Sequence, residues 1–416
     1  MESTHNMKNT PIGLIPEGWS ARPLGDLCEI HGRIGFRGYT KADLVRKGEG
    51  AITFSPSDID DQRISYKDCD YISWAKYIES PEIQVKEGDI LFCKTASIGK
   101  CAQIWDLKEK ATINPQFVLL NDFKCNSSLL YYMLAFSSFQ NRVLVITGGS
   151  TIPTISQEAM KKQLIPIPDD PDEQNRIAET LLSIDKIIGA LDEAIAKKRQ
   201  IKEGLMQQLL TGKTRLPGFN GEWEDIPFKS IYKYAKEGGT PSTGVAEYYN
   251  PAIVPFAKIE DLKDKYLTRV ESYISESGVE HSSAWLIPVN SVILSNGATL
   301  GEVSINKITT TTKQGILGII LKEDFSPEFI YYLFKGRSFR REMEKVTTHG
   351  TMDCAYLKDL NTISLRIPPL TEQEAIASVI SSVDKEIVGL ESQRDKYALI
   401  KQGMMQKLLT GKTRLI

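Results

Sequence analysis

The sequence is poor in the features that mark several classes of protein. Among 416 residues there are four histidines, at 5, 31, 281 and 349. They form no HExxH pattern and no Ser/His/Asp arrangement, so zinc-protease and triad-hydrolase signatures are missing. Six cysteines, at 28, 69, 93, 101, 125 and 354, never form CxxC, and neither a zinc ribbon nor a disulfide scaffold is expected. No run approaches the ~18 apolar residues of a membrane span, and the first twenty residues lack the apolar stretch of a signal peptide. A cytoplasmic chain without membrane contact is expected. The net charge of −2 excludes an overall positive coat, although a local basic face is all that nucleic acid requires.

What is present is the composition of an ordinary globular chain, 41% hydrophobic and 25% charged, and a repeat. Gly204 to Leu216 reads GLMQQLLTGKTRL and Gly403 to Leu415 reads GMMQKLLTGKTRL, an offset of 199. Carried back without gaps to Glu173 and Glu372, the two segments share 23 of 44 positions. Chance would give about 3, at roughly one match in fifteen. Fainter echoes lie upstream: Ala96-Ser97-Ile98-Gly99 with Ala298-Thr299-Leu300-Gly301, Tyr131-Tyr132 with Tyr331-Tyr332, and the Trp19 and Trp223 entries. Each half is a divergent block followed by a well-preserved segment.

The preserved segments read as long helices. Ile177, Leu181, Ile184, Ile188, Leu191 and Ile195 alternate spacings of 4 and 3, resuming at Leu205 and Leu209. Ile376, Ile380, Val383, Ile387 and Leu390 repeat the pattern, resuming at Met404 and Leu408. This is a heptad seam, interrupted at Lys198 and Lys202 and at Tyr397 and Lys401. Asp172 after Pro171, and a Thr371/Glu374 capping box, mark the starts, and Gly212 and Gly411 the stops. About 38 residues at ~1.5 Å each give a rod near ~57 Å. Two such copies in one chain predict an antiparallel coiled coil with an approximate internal two-fold.

The fold class expected is therefore α+β. Two globular mixed α/β domains are separated by two long helices in a pseudo-two-fold repeat. The divisions are an N-terminal tail (1–19), a first domain (20–165), a central helical segment (166–216), a second domain (217–365) and a distal helical segment (366–416). Within the domains, β-rich runs are expected at 51–54, 89–93, 116–120, 253–256, 291–294 and 316–321, and helices near 127–137 and 327–335.

Chemistry-bearing motifs fall short. Gly212-Lys213-Thr214 and Gly411-Lys412-Thr413 have Gln207 and Gln406 where a phosphate-binding loop needs glycine. Both also end a helix, where the dipole repels phosphate. Asn114-Pro115-Gln116-Phe117 lacks the second proline of the motif that positions a flipped adenine. Asp169 and Asp172 have no lysine partner of the nuclease type, and no residue is assigned a catalytic or metal-binding role.

Binding residues are easier to nominate. His31 to Lys47 holds Arg33, Arg37, Lys41, Arg46 and Lys47 with three glycines, Phe36 and Tyr39, a composition suited to phosphate and base-edge contacts. Candidate DNA contacts in the first block are Arg33, Arg37, Tyr39, Lys41, Lys94, Thr95, Ser97 and Thr151. In the second they are Thr240, Ser242, Thr243, Asn296, Thr299 and Thr351. The Lys335, Arg337, Arg340, Arg341 and Lys345 cluster reads as a solvated helix face. Lys202, Met206 and Gln207, repeated as Lys401, Met405 and Gln406, exceed what a heptad seam requires and are candidates for partner docking, or for packing the rod ends.

Ile367-Pro368-Pro369-Leu370-Thr371-Glu372-Gln373, its counterpart Ile167-Pro168 with Glu173-Gln174, the twice-written LLTGKTRL, and Gly239-Thr240-Pro241-Ser242 together resemble the specificity subunits of type I restriction-modification enzymes. The likeness spans nearly the whole chain. One departure is Asp-Asp-Pro-Asp at 169–172, where the family favours Pro-Leu-Thr. The resemblance implies a non-catalytic subunit whose two target recognition domains each read half of a bipartite double-stranded DNA site, with the helices setting the gap. It implies two methyltransferase subunits and two motor-nuclease subunits as partners. S-adenosylmethionine, ATP and magnesium would be used by those partners, with no cofactor on this chain. A coiled-coil adaptor presenting two protein-binding modules, and a degenerate NTPase, are the rival readings.

Overall fold

The computed structural model describes residues 6–60, 62–147, 152–297, 299–349 and 353–416. The chain divides into two compact units, residues 1–192 with 393–416, and residues 193–392. Two helices of 39 residues, Pro171–Leu209 and Leu370–Leu408, contribute to both units.

In the first unit, residues 7–16, assigned to a tail from sequence, form the antiparallel hairpin Met7–Thr10 with Gly13–Pro16. The domain opens and closes on one pair of strands, Trp19–Pro23 against Leu164–Pro168, which sets Trp19 opposite Pro168. A four-stranded antiparallel sheet runs in the order Cys101–Gln103, Ile90–Cys93, Phe117–Asn121, Glu29–Gly32. Side chains alternate across a strand. Accordingly Ile90, Phe92, Val118 and Leu120 enter one core, while Leu91, Cys93, Phe117 and Leu119 enter another. The first core takes in helix Ser127–Ala135 and the helical residues Ile177, Ala178, Leu181 and Leu408. The second is closed by a five-stranded mixed sheet in which Ala111–Ile113 runs parallel to Gly50–Phe54. With both faces covered, these strands are continuous hydrophobic runs rather than alternating ones.

The second unit repeats the plan. Glu224–Pro227 pairs with Ser364–Ile367, making Trp223 the register equivalent of Trp19. A five-stranded sheet runs Tyr232–Glu237, Ile316–Leu321, Val292–Ser295, Val303–Asn306, Tyr266–Leu267. Val292, Leu294, Leu317 and Ile319 pack against helix Pro327–Lys335 and against Leu209, Ile376, Ala377 and Ile380. Ile293 and Ile316 face a smaller core. The expected strands lie within a residue or two of those observed, and 316–321 and 327–335 coincide with them.

Most seam residues behave as their spacing predicts: Ile177, Leu181, Ile184, Ile188, Ile195, Ile376, Ile380, Val383 and Ile387 are buried, whereas Leu191, Leu205, Leu390 and Met404 are half-buried. The interruptions are bridged by charge. In the first unit Lys401 meets Asp185 at 2.8 Å and Arg394 meets Asp192 at 3.3 Å. In the second, Lys202 meets Asp384 at 2.6 Å and Lys198 pairs with Glu386. Within each unit, higher numbers on one helix pair with lower numbers on the other, so the segments are antiparallel. The helix starts lie one or two residues ahead of the sequence reading. Asp170, not Asp172, supplies the side-chain acceptor, taking the N–H of Asp172. The distal helix begins at Leu370, ahead of the expected Thr371 cap, because Pro369 O already accepts the helical bond from Gln373 N at 3.1 Å. Both stops are as expected, with Gly212 and Gly411 at φ 67°.

Glu173 and Glu372 are almost wholly buried at their helix starts. Arg414 binds Glu173 bidentately at 2.5 and 2.6 Å in the first unit, and Arg215 binds Glu372 at 2.6 and 2.7 Å in the second. The repeated Arg of TGKTRL therefore closes on the repeated Glu of the other helix. The Gln that follows ties the helix to its domain. Gln174 accepts from Asn126 N and donates to Pro168 O, and Gln373 accepts from Ser326 N and donates to Pro368 O. Removing one partner of a buried pair strands the other charge. Arg414→Ala is expected to destabilise the chain by about 3–5 kcal/mol, and Arg414→Ala with Glu173→Gln by clearly less. Chemical denaturation of the two variants measures the difference.

Candidate nucleic-acid interface and helix grooves

One end of each central sheet gathers most of the nominated residues. In the first domain, strands Glu29–Gly32 and Ile90–Cys93 finish where Phe117–Asn121 begins, so Arg33, Lys94, Thr95 and Ser97 lie on adjoining loops. In the second, Tyr232–Glu237 and Val292–Ser295 finish where Ile316–Leu321 begins, bringing the 240–243 loop to Asn296 and Thr299. Thr151 and Thr351 lie outside the described residues, as do Ala298 and the side chain of Phe36.

The nominated side chains do different work. Arg33, read as a DNA contact, is only 6% exposed. It donates to Ile113 O at 3.2 Å and Thr112 Oγ1 at 3.3 Å and lies over the Tyr39 ring. Its role is to brace the loop against the sheet, and burial lowers its pKa. Arg37 pairs with Glu82 at 3.4 Å, and Tyr39 accepts from Thr53 Oγ1. Lys41 is exposed on a short 3-10 turn capped by Thr40. Lys94 is half-buried, and burial lowers its pKa with no acidic neighbour opposing. Thr95 is half-buried and Ser97 exposed.

In the second domain Thr240, Ser242, Thr243 and Thr299 are exposed. The 240–243 loop is anchored by Tyr249 Oη donating to Pro241 O at 2.6 Å. It leaves the sheet through Gly238 and Gly239, where a Cβ would stand 2.1 Å from Thr312 O and 2.0 Å from Ser283 Oγ respectively. Only glycine permits that approach. Asn296 is fully buried, its Nδ2 donating to Ala355 O at 3.1 Å, so it holds the neighbouring loop rather than presenting itself to solvent. Two side chains at these edges, Gln157 and Glu237, belong to no motif and were not nominated.

The near-miss motifs resolve into turns. Asn114 and Gln116 bond each other, with Gln116 N donating to Asn114 Oδ1 at 2.9 Å. Most of the basic 335–345 cluster is engaged locally: Lys335 pairs with Glu302, Arg337 with Glu203 and Lys345 with Glu342, and Arg340 donates to Gly301 O, while Arg341 is exposed. Among the described residues no three His, Cys, Asp or Glu side chains come together as a metal site, and no single helix is long and apolar enough to cross a membrane.

The candidate docking residues line a groove in each unit. In the second, a cavity of about 860 Å³ is bounded by Lys202, Met206, Gln207, Leu333, Arg337 and Ile387. In the first, one of about 420 Å³ is bounded by Lys401, Met405, Gln406, Phe136, Ser137 and Ile188. The lysines have structural partners besides. Asp185 accepts from Tyr132 Oη at 2.5 Å as well as from Lys401, and Asp384 accepts from Tyr332 Oη at 2.7 Å as well as from Lys202. Burial, then the adjacent aspartate, raises both tyrosine pKa values. Met206 and Met405 are half-buried, whereas Gln207 and Gln406 stand exposed on the groove.

A family model described as the type I restriction modification DNA specificity domain matches twice, over residues 16–202 and 220–398. The chain is 25% identical over 424 residues to the type I restriction enzyme MjaVIII specificity subunit of Methanocaldococcus jannaschii, covering 96% of this chain and 94% of that one. It is 27% identical over 292 residues to the EcoR124I/EcoR124II specificity subunit of Escherichia coli, covering 67% and 69%. The crystal structure of a type I restriction-modification S subunit from M. genitalium superposes with a TM-score of 0.60 at 15% identity, covering 98% of both chains.

The bracing role of Arg33 is testable. Arg33→Ala leaves Ile113 O without its donor and is expected to lower stability by about 1–3 kcal/mol, whereas Lys41→Ala is expected to leave it within about 0.5 kcal/mol. Thermal denaturation of the purified chain distinguishes them.

Proposed function

Because this chain belongs to the type I restriction-modification DNA specificity family, we propose that it reads a bipartite double-stranded DNA site, one half with each domain. The observation that carries this reading is the pair of sheet-edge loop clusters. The first brings half-buried Lys94 and Thr95 together with exposed Ser97, and the second gathers the exposed hydroxyls of Thr240, Ser242, Thr243 and Thr299, at the same end of an equivalent sheet. The loops differ in sequence while the helices between them keep 23 of 44 positions. Divergent loops suit changing targets, and a repeated helical scaffold suits an unchanging partner.

On this reading the helices set the gap between half-sites. Two methyltransferase subunits dock at the grooves holding Met206 and Gln207 and holding Met405 and Gln406, and each methylates an adenine with S-adenosylmethionine. Two ATP- and magnesium-dependent motor-nuclease subunits complete the complex. Lys202 and Lys401 support the docking surface indirectly, by fixing Asp384 and Asp185. The chain itself supplies recognition, and the chemistry belongs to the partners.

Two experiments test this. Replacing residues 217–365 with the matching block of a relative is expected to change one half-site of the methylated motif, read by sequencing methylated adenines, and to leave the other half and complex assembly intact. A change in both halves overturns independent reading. Deleting seven residues from the interior of each helix, 190–196 and 390–396, keeps whole heptads and the Asp185 and Asp384 ties, and removes ~10.5 Å of rise per helix. The motif is expected to keep both halves with a shorter gap, and an unchanged gap overturns the spacing role.

A further inference from the structure

Strand register places one position of each domain in the same slot. In the first domain Lys94 N donates to Gln116 O at 2.8 Å, and Ile155 N donates to Lys94 O at 2.9 Å. In the second, Asn296 N donates to Gly315 O at 3.0 Å, and Ala355 N donates to Asn296 O at 2.9 Å. Gln116 and Gly315 are thereby equivalent. Two residues further on, Val118 pairs with Gly32 and Leu317 pairs with Glu237. Gly32 and Glu237 therefore occupy the same place on the outer strand, at the edge where the nominated loops meet.

The contents of that place are opposite in polarity. Gly32 has no side chain, and the space is taken by nitrogen donors. A Cβ there would stand 2.2 Å from Gln157 Nε2 and 3.5 Å from Lys94 Nζ. The Lys94 ammonium is half-buried with no hydrogen bond or ion pair among the described residues. In the second domain the slot holds a carboxylate. Glu237 Oε1 accepts from Gly315 N at 2.7 Å. The side chain is half-buried and makes no ion pair among the described residues. Its charge contributes, after burial, to raising the Cys354 thiol.

We propose that this slot is a specificity-determining position in both domains and is used with opposite sign. Lys94 with Gln157 takes the acceptor edge of a base, guanine O6 and N7, and Glu237 takes a donor edge, the N4 amino group of cytosine. The inference rests on each domain reading one half of a DNA site. Guanine presents two acceptors in the major groove and cytosine a single amino donor, which match an ammonium and a carboxylate respectively. A carboxylate is repelled by phosphate, so on a DNA-facing edge its favourable partners are base amino groups.

The test uses the full chain co-expressed with its modification subunits in a host free of adenine methylation, with methylated motifs read by sequencing. Glu237→Gln keeps an oxygen for Gly315 N and replaces the other with a donor. It is expected to relax one G·C position of the second half-site by about tenfold or more and to leave the first half-site as in wild type. Lys94→Met is expected to do the reverse. The untouched half reports folding and assembly within the same experiment. Wild-type motifs from both variants would overturn the proposal, with Glu237 then only an acceptor for a backbone amide. So would a Lys94→Met effect that weakens binding to all sequences alike and lowers the salt slope by about one, since that marks a phosphate contact. If Glu237→Gln fails to assemble, Lys94→Met and Gln157→Leu decide the matter in the first domain. A wild-type complex with no bipartite motif at all would instead overturn the reading on which the proposal rests.

Discussion

Two buried carboxylates dictate how the chain is put together. Glu173 and Glu372 lie at helix N-termini, where the dipole favours a negative charge, yet burial would make either one costly without a cation beside it. The cation comes from beyond the end of the other helix, Arg414 for Glu173 and Arg215 for Glu372. An arginine that follows one helix can reach a glutamate that starts another only if the two segments run in opposite directions. The antiparallel arrangement within each unit is thus written into two charges. Trp223 Nε1 adds a further donor to Glu372 at 3.2 Å. Its register equivalent Trp19 is fully buried instead, so the two copies share the charge pair and differ in how they cover it.

The glutamine after each glutamate carries the constraint into the domains. Gln174 and Gln373 bond the backbone at Asn126 and Ser326, the residues that cap helices Ser127–Ala135 and Pro327–Lys335. Those helices in turn present Tyr132 and Tyr332 to Asp185 and Asp384. Two points of attachment on one helical segment fix both position and rotation, so each sheet is held at a defined attitude to its own helices. The sheet-edge loops are left free to vary, because nothing in this chain of contacts passes through them.

That separation explains how one slot can hold opposite charges. The backbone hydrogen bonds around Lys94 and Asn296 are the same in partner and nearly the same in length, so they constrain the course of the chain and not the side chains. A glycine at 32 lets donors from a loop (Lys94) and from the start of a short helix (Gln157) fill the space, while a glutamate at 237 fills it from its own strand. Basic residues by themselves are a poor guide to such a site. Arg33 and Arg37 were conspicuous in the sequence, and their guanidinium groups are engaged within the protein.

The sequence by itself determined the duplication, the long helices with their seam and glycine stops, the main strands and the family. Each of these rests on local periodicity, or on a motif long enough to defeat chance. The tertiary structure decided what the motifs are for. TGKTRL carries no mark that its arginine seeks a glutamate 157 or 241 residues away, because an ion pair between distant segments leaves no spacing to read. Nor could sequence tell that Arg33 and Asn296 turn inward, or that Gln157 and Glu237 reach the same edge as the nominated loops. Those outcomes depend on strand register, and register is settled by the packing of both faces of each sheet at once.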